Sequence, residues 1–343
     1  MRVPMKRLLY IFALASQLSV SVVHAQQLAD ENARLAALLK SVGFTGNVEA
    51  TLSSRLGRAI DVNRKDLGRL IFFDKHLGLH RDNSCAGCHS PANGYGDTQP
   101  IAIGVQSNDI VGKDRTGPRN QRRTPMVINT AFYPALMWNG RFSAVSGNPF
   151  DNGKGYTFPL PEDGKFFPPS DPRFRHLLAV QGHIPFTEQP EMAGFTTLGS
   201  RVFTMPKFMP SAESIERLKN AAAPRILNLR AQQNPEEPDF SQFDDGLGRA
   251  IPNGYPGVPS LNNPIRHAVL EDINAIREYR DLFGAIYPSV ADGNGIEFWM
   301  IGEVLAEFQI SLTFANAPID RFARGEHSAL SQSARRGAIL FFG

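Results

Sequence analysis

Cys85-Ala86-Gly87-Cys88-His89 is the stretch on which the fold of this chain turns. The chain has only two cysteines, and both stand here. The C-x-x-C-H order is the attachment signature of a c-type haem. Two thiols three positions apart on one turn can each form a thioether to a haem vinyl group, and the next imidazole then lies against the iron as proximal ligand. Three other readings fall short. A structural zinc site needs four ligands, and no other cysteine exists to help complete one. A thioredoxin-like pair expects a βαβ context, and a plain disulfide leaves His89 without a role.

Working back to the start, residues 1–25 read as an export signal. Arg2, Lys6 and Arg7 form a basic head, Leu8 to Val23 is mostly apolar, and Val23-His24-Ala25 resembles a small-residue cleavage site. The apolar run is short and broken by serines and Gln17, unlike a spanning helix of about 20 apolar residues. Cleavage after Ala25 and a periplasmic location are the expectations, with no membrane attachment afterwards. Export agrees with the motif, since c-type haem is attached outside the bacterial cytoplasm. Removing the segment takes away three basic residues and leaves 33 charges of each sign, so nucleic acid is not an expected partner.

The remaining length suggests about two domains. With 25 prolines and 30 glycines, helical periodicity in several segments and little strand alternation, the chain reads as mainly α with long irregular loops. A surface helix is expected over 26–42, with Leu28, Leu35, Leu38 and Leu39 spaced along it. A second is expected from Arg64 to Phe73, burying Leu67, Leu70 and Ile71. Helices return over Ala268–Phe283 and Ile296–Phe314, expected to pack in a second domain, while 200–265 reads as a surface or interdomain excursion. His76 and His80 read as exposed loop histidines.

The order of short motifs carries a family resemblance. Leu67-Gly68 and Phe72-Phe73-Asp74 precede C-x-x-C-H. Gly94-Tyr95-Gly96-Asp97, Ile101 to Gly104, Arg123 to Asn129, Met137 to Arg141 and Glu191-Met192-Ala193-Gly194 follow it. This series resembles the bacterial di-haem cytochrome c peroxidases and their MauG-like relatives over most of residues 64–343. The resemblance implies two cytochrome c-like domains, a peroxidatic one over 26–199 and a second from 200 onward, each with one haem. The pre-haem run Ala338 to Phe342 repeats Arg69 to Phe73, yet Gly343 follows with no second C-x-x-C-H. One covalent haem c is therefore expected in this sequence and two in the full-length protein, with the second domain cut short.

The resemblance also implies an activity: reduction of hydrogen peroxide with electrons from a small cytochrome or cupredoxin. A MauG-like oxidation of a partner protein, or plain electron transfer, are the alternatives, and a homodimer is compatible with the family. Cys85, Cys88 and His89 match the first haem's attachment, with His89 as iron ligand. Glu191 matches the distal acid–base, and Gln181, ten residues earlier, is expected to share its pocket. Trp138 matches the tryptophan between the haems, against the plain alternative of a core tryptophan.

Two positions depart from the family's pattern. Many members place a histidine directly after the glycine equivalent to Gly104, where it caps the iron until reduction releases it. Here Val105 stands there, and no histidine occurs between His89 and His176. His183 is the only candidate replacement. Arg123 occupies the place of an asparagine that helps bind calcium in many relatives, which leaves calcium without that ligand. Arg119, Arg122 and Arg123 read either as propionate partners or as a solvated basic loop.

Overall fold

The computed structural model describes residues 25–158, 168–194 and 263–343. The expected export signal, apart from Ala25, and most of the 200–265 excursion lie outside them. The described residues fold mainly as helices. In chain order these are α1 (25–41), α2 (Leu52–Leu56), α3 (Val62–Phe73), α4 (Cys85–Cys88), α5 (Leu177–Gln181), α6 (Asn263–Ala275), α7 (Arg277–Gly284), α8 (Pro288–Ala291), α9 (Phe298–Ser311), α10 (Pro318–Ala323) and α11 (Gln332–Phe342). The strands β1 (Ala135–Leu136), β2 (Phe142–Ala144) and β3 (Tyr156–Thr157) form a small antiparallel sheet in that order, with Leu136 opposite Phe142 and Ala144 opposite Tyr156. Among the described residues no helix is long and apolar enough to cross a membrane.

The chain clusters into two compact units. One joins residues up to Arg58 with Phe314–Gly343; the other is Ala59–Thr313. The helix α9 lies in the second of these units. Its residues are buried nearly all round, so one apolar partner cannot cover it. It packs on both α3 and α5.

Close backbone approach makes this packing possible. A Cβ on Gly68 of α3 would collide with the Val304 carbonyl, and one on Gly302 with the Ala179 carbonyl. The start of α3 is fixed at Asp61. Its side chain accepts from the Arg64 N–H at 3.0 Å, and its own N–H donates to the buried Glu307 of α9 at 2.6 Å. The buried face of α3 is Leu67, Gly68, Ile71 and Phe72. Leu70, expected inside, is 46% exposed. The stretch expected as one helix over 268–283 is two, because Ile276 takes an extended conformation between α6 and α7.

In the other unit, α1 buries Leu35 and Leu39 against Phe322, Leu330 and Ile339. Arg336 of α11 donates to Glu31 at 2.8 Å.

Candidate functional site

The cysteine turn is wound before any ligand is considered. In α4 the His89 N–H donates to the Cys85 carbonyl at 2.8 Å, so both thiols lie on one turn with the imidazole just past its end. Both cysteines are free thiols. Burial pushes each thiol up to about 12; at Cys88 the positive charge of Arg115 opposes that rise. Gly87 is buried, and a Cβ there would run into the Asn83 side chain.

A neighbouring turn sets the imidazole. Tyr95 has φ of 57°, a left-handed conformation uncommon for a residue with a side chain, next to Gly94 at 62°. The chain thereby folds back so that Tyr95 N–H meets the Ser90 carbonyl at 2.9 Å. The Tyr95 carbonyl then lies 3.2 Å from His89 Nδ1. A carbonyl only accepts, so Nδ1 carries the hydrogen and Nε2 keeps its lone pair for a metal. Burial lowers the His89 pKa and keeps the ring neutral, as a ligand must be. Phe72 flanks the ring at 6.1 Å between centroids and packs edge-on against Tyr95 and Phe308.

Glu191 stands on a wide π-type turn, Gln189–Ala193. Three tethers place it. Val105 N–H donates to the Pro190 carbonyl at 3.3 Å, Asn83 Nδ2 to the Glu191 carbonyl at 2.8 Å, and Leu79 N–H to the Met192 carbonyl at 3.0 Å. Gly104 lies so close that a Cβ would meet the Pro190 carbonyl. Gly194 ends the turn with φ of 83°, and the His80 ring sits where its Cβ would be. Asn120 Nδ2 donates to Glu191 Oε1 at 3.3 Å. Burial, reinforced by the negative Glu188, pushes the Glu191 carboxyl up to about 7, with Arg141 opposing. Its negative charge in turn reaches Cys85 and Cys88 and adds to the rise of both thiols.

The other expected residues are placed as follows. Gln181 is half-buried at the C-terminal end of α5, and among the described residues its side chain makes no hydrogen bond to Glu191. Trp138 is not in the core: it is 67% exposed, with its indole N–H donating to the Arg123 carbonyl at 2.7 Å. Val105 is fully buried. His183 is a core residue between Phe174 and Phe298, with Nδ1 donating to the Ala179 carbonyl at 2.9 Å; burial and the nearby Arg266 push its pKa down to about 3. His176 caps α5, accepting from Leu178 N–H through Nδ1 and donating from Nε2 to the Ala131 carbonyl. His80, expected in an exposed loop, is buried at 2% exposure because the Gly194 turn closes over it. His76 is half-exposed and pairs with Asp74 at 2.7 Å.

Arg123 donates to the Asp97 carbonyl at 2.9 Å, and the Asp97 carboxylate accepts the N–H groups of Gln99 and Thr124. Arg119 donates to the Ile101 carbonyl. Asn83, Arg115 and Asn120, which join the cysteine turn to the Glu191 turn, carry no spacing signature that a sequence reading could have used.

The donor set fits a c-type haem: two free thiols on one turn and, just past its end, an imidazole whose Nδ1 faces the Tyr95 carbonyl and leaves Nε2 for a metal. Comparison with known proteins agrees. The profile of the di-haem cytochrome c peroxidase family matches residues 63–223 and 209–328. A methylamine utilization protein MauG of Methylorubrum extorquens is 24% identical over 277 residues, 81% of this chain and 46% of that protein. The MauG of Methylophilus methylotrophus is 32% identical over 95 residues, 28% of this chain and 25% of that one. The cytochrome c551 peroxidase of Pseudomonas aeruginosa is 33% identical over 85 residues, 25% and 22% of the two chains. Each of these alignments spans less than half of the relative's length. A crystal structure of a MauG-like protein associated with microbial copper homeostasis superposes with a TM-score of 0.43 and 17% identity, covering 83% of this chain and 50% of that one. With the family profile running across both the cysteine turn and the helices that enclose it, the chain belongs to the di-haem cytochrome c peroxidase family.

Proposed function

We propose that this protein is a periplasmic c-type haem oxidoreductase that reduces hydrogen peroxide to water, taking electrons from a small cytochrome or cupredoxin. The supporting observation is Glu191, a carboxyl raised to about 7 whose turn is tied by Asn83, at 2.8 Å, to the segment that leads into the cysteine turn. The reaction consumes one peroxide, two electrons and two protons and releases two waters. When bound, the haem supplies the iron that binds peroxide and the electrons that cleave it.

Cys85 and Cys88 would hold the haem covalently and His89 Nε2 would ligate it. The Tyr95 carbonyl orients that ring. Glu191 is the proposed acid–base: it takes a proton from the near peroxide oxygen and returns it to the departing one, a task suited to a carboxyl titrating near neutrality. Asn120 holds Oε1 of that carboxyl in place. Gln181 is proposed as a further polar group of the pocket, and Trp138 as the relay toward the second haem of the full-length protein. Calcium is left without support by the arginine at 123.

A haem count tests the reading. Full-length protein matured in an exporting host should give two pyridine haemochromes per chain, and Cys85→Ala with Cys88→Ala should remove one of them. Retention of both would rule the reading out.

Val105, standing where many peroxidases of the family carry a histidine, favours a second reading, in which the same site oxidises residues of a partner protein in the MauG manner. Steady peroxide consumption with a reduced small donor supports the first reading; peroxide-dependent modification of a partner without that turnover supports the second.

A further inference from the structure

Arg115 is a buried charge to which the chemistry above gives no task. It is 5% exposed. Its guanidinium donates from Nε to the Ile103 carbonyl at 2.7 Å, from Nη1 to the Ile110 carbonyl at 3.0 Å, and from Nη2 to Asn83 Oδ1 at 3.0 Å and the Gly104 carbonyl at 2.9 Å. Four of its five N–H groups are thus committed, all to neutral oxygens. Among the described residues no carboxylate forms an ion pair with it. Asp82 and Asp109 line the same cavity of about 220 Å³ beside the cysteine turn. Asp109, however, is paired with Lys75, and Asp82 accepts the Gln106 N–H.

A buried charge is costly unless it is hydrogen-bonded, and most are also paired with an opposite charge. Here the hydrogen bonds are present and, among the described residues, no carboxylate is ion-paired with the guanidinium, so its positive charge acts on the cysteine turn beside the negative charges of Glu191 and Asp97. It is also close to the attachment site: a Cβ on Gly87 would stand 3.0 Å from Arg115 Nη2. Cys88 feels this field, which works against the burial of its thiol.

We propose that Arg115 is a positioning charge that raises the reduction potential of the haem attached at Cys85 and Cys88. The inference rests on the c-type haem reading. Reducing the iron adds one negative charge to the group on this turn. A fixed positive charge in a low-dielectric surrounding favours that reduced state more than it would in water. Fixed to three main-chain carbonyls and to Asn83, the guanidinium cannot swing away.

Spectroelectrochemical titration of the full-length haem-loaded protein tests this. Arg115→Met should lower the potential of this haem enough to shift its reduced-to-oxidised ratio at least tenfold at fixed applied potential, about 59 mV for a one-electron couple. Arg115→Lys, which keeps the charge, should move it by less than half as much. Asn83→Asp, which sets a carboxylate against the guanidinium without changing size, should lower the potential in the same direction and serves if Arg115→Met does not mature. A role in loop packing alone would lower resistance to urea in these variants and leave the potential where it was; that outcome overturns the proposal. Wild-type protein with no covalent haem at Cys85 and Cys88 would instead overturn the haem reading, and this inference with it.

Discussion

Asn83 Nδ2 donates to the main-chain carbonyl of Glu191 at 2.8 Å, across 108 positions of sequence. Through Oδ1 the same side chain accepts from Arg115 at 3.0 Å. One buried amide therefore ties the segment leading into the cysteine turn to the turn that carries the candidate acid–base.

Asn83→Leu should be costly to stability. It leaves the Glu191 carbonyl and one Arg115 donor unpaired in a dry interior, each worth about 1–3 kcal/mol. Urea unfolding should show a loss of roughly 2–6 kcal/mol on that basis, and the Glu191 turn should lose amide-exchange protection. A loss below 1 kcal/mol would show that water replaces the amide.

Glu191→Gln should leave haem attachment and the resting spectrum intact while slowing peroxide cleavage by about 10²–10⁴-fold. In the wild type the rate should fall as pH drops through about 7, because the proton acceptor is lost. A stopped-flow profile flat from pH 5 to 8 would remove Glu191 from the proton path.

The same carboxyl should shape stability against pH. Its folded pKa lies above the ordinary value of 4.5, so the folded state binds the proton more tightly. Its contribution is fully favourable below 4.5 and is lost as pH rises through about 7. Wild type and Glu191→Gln should therefore have similar Tm values near pH 4, with the variant gaining on the wild type by pH 8. A Tm difference that does not change with pH would contradict the buried, protonated carboxyl.

The distal position of the first haem should lack a histidine. Val105 is buried and His183 is held in the α5–α9 core with Nδ1 on a carbonyl and Phe rings on either side. Electron paramagnetic resonance of the oxidised full-length protein should show a high-spin signal from this haem, unchanged in His183→Phe. A wholly low-spin first haem, converted by that substitution, would place His183 on the iron.

Gly194→Ala should destabilise by about 2 kcal/mol or more, since φ of 83° disfavours a side chain and the His80 ring fills the space. Urea midpoints measure it. The substitution should also reduce peroxide reactivity, because Gly194 closes the turn that presents Glu191.

Much of this was legible in the chain itself. Cys85, Cys88 and His89 are adjacent in sequence, and one helical turn suffices to bring them together, so their chemistry followed from spacing. The apolar periodicity of 64–73 and 296–314 marked helices for the same local reason, and the structure has them at 62–73 and 298–311. Periodicity could not say which neighbours those helices meet. That the all-round apolar surface of the 298–311 helix is covered by α3 and α5 is visible only in the folded chain.

Exposure was likewise beyond reach. His80 looked like a loop residue and is enclosed by Gly194; Trp138 could have been core and is exposed. The electrostatics of the site belong wholly to the tertiary structure. Glu191 is raised by burial and Glu188, and Arg115 is buried with no carboxylate ion-paired to it among the described residues, because segments distant in sequence pack around them. Local chemistry is written in adjacent residues; desolvation is set by what packs over them, and only the folded chain decides that.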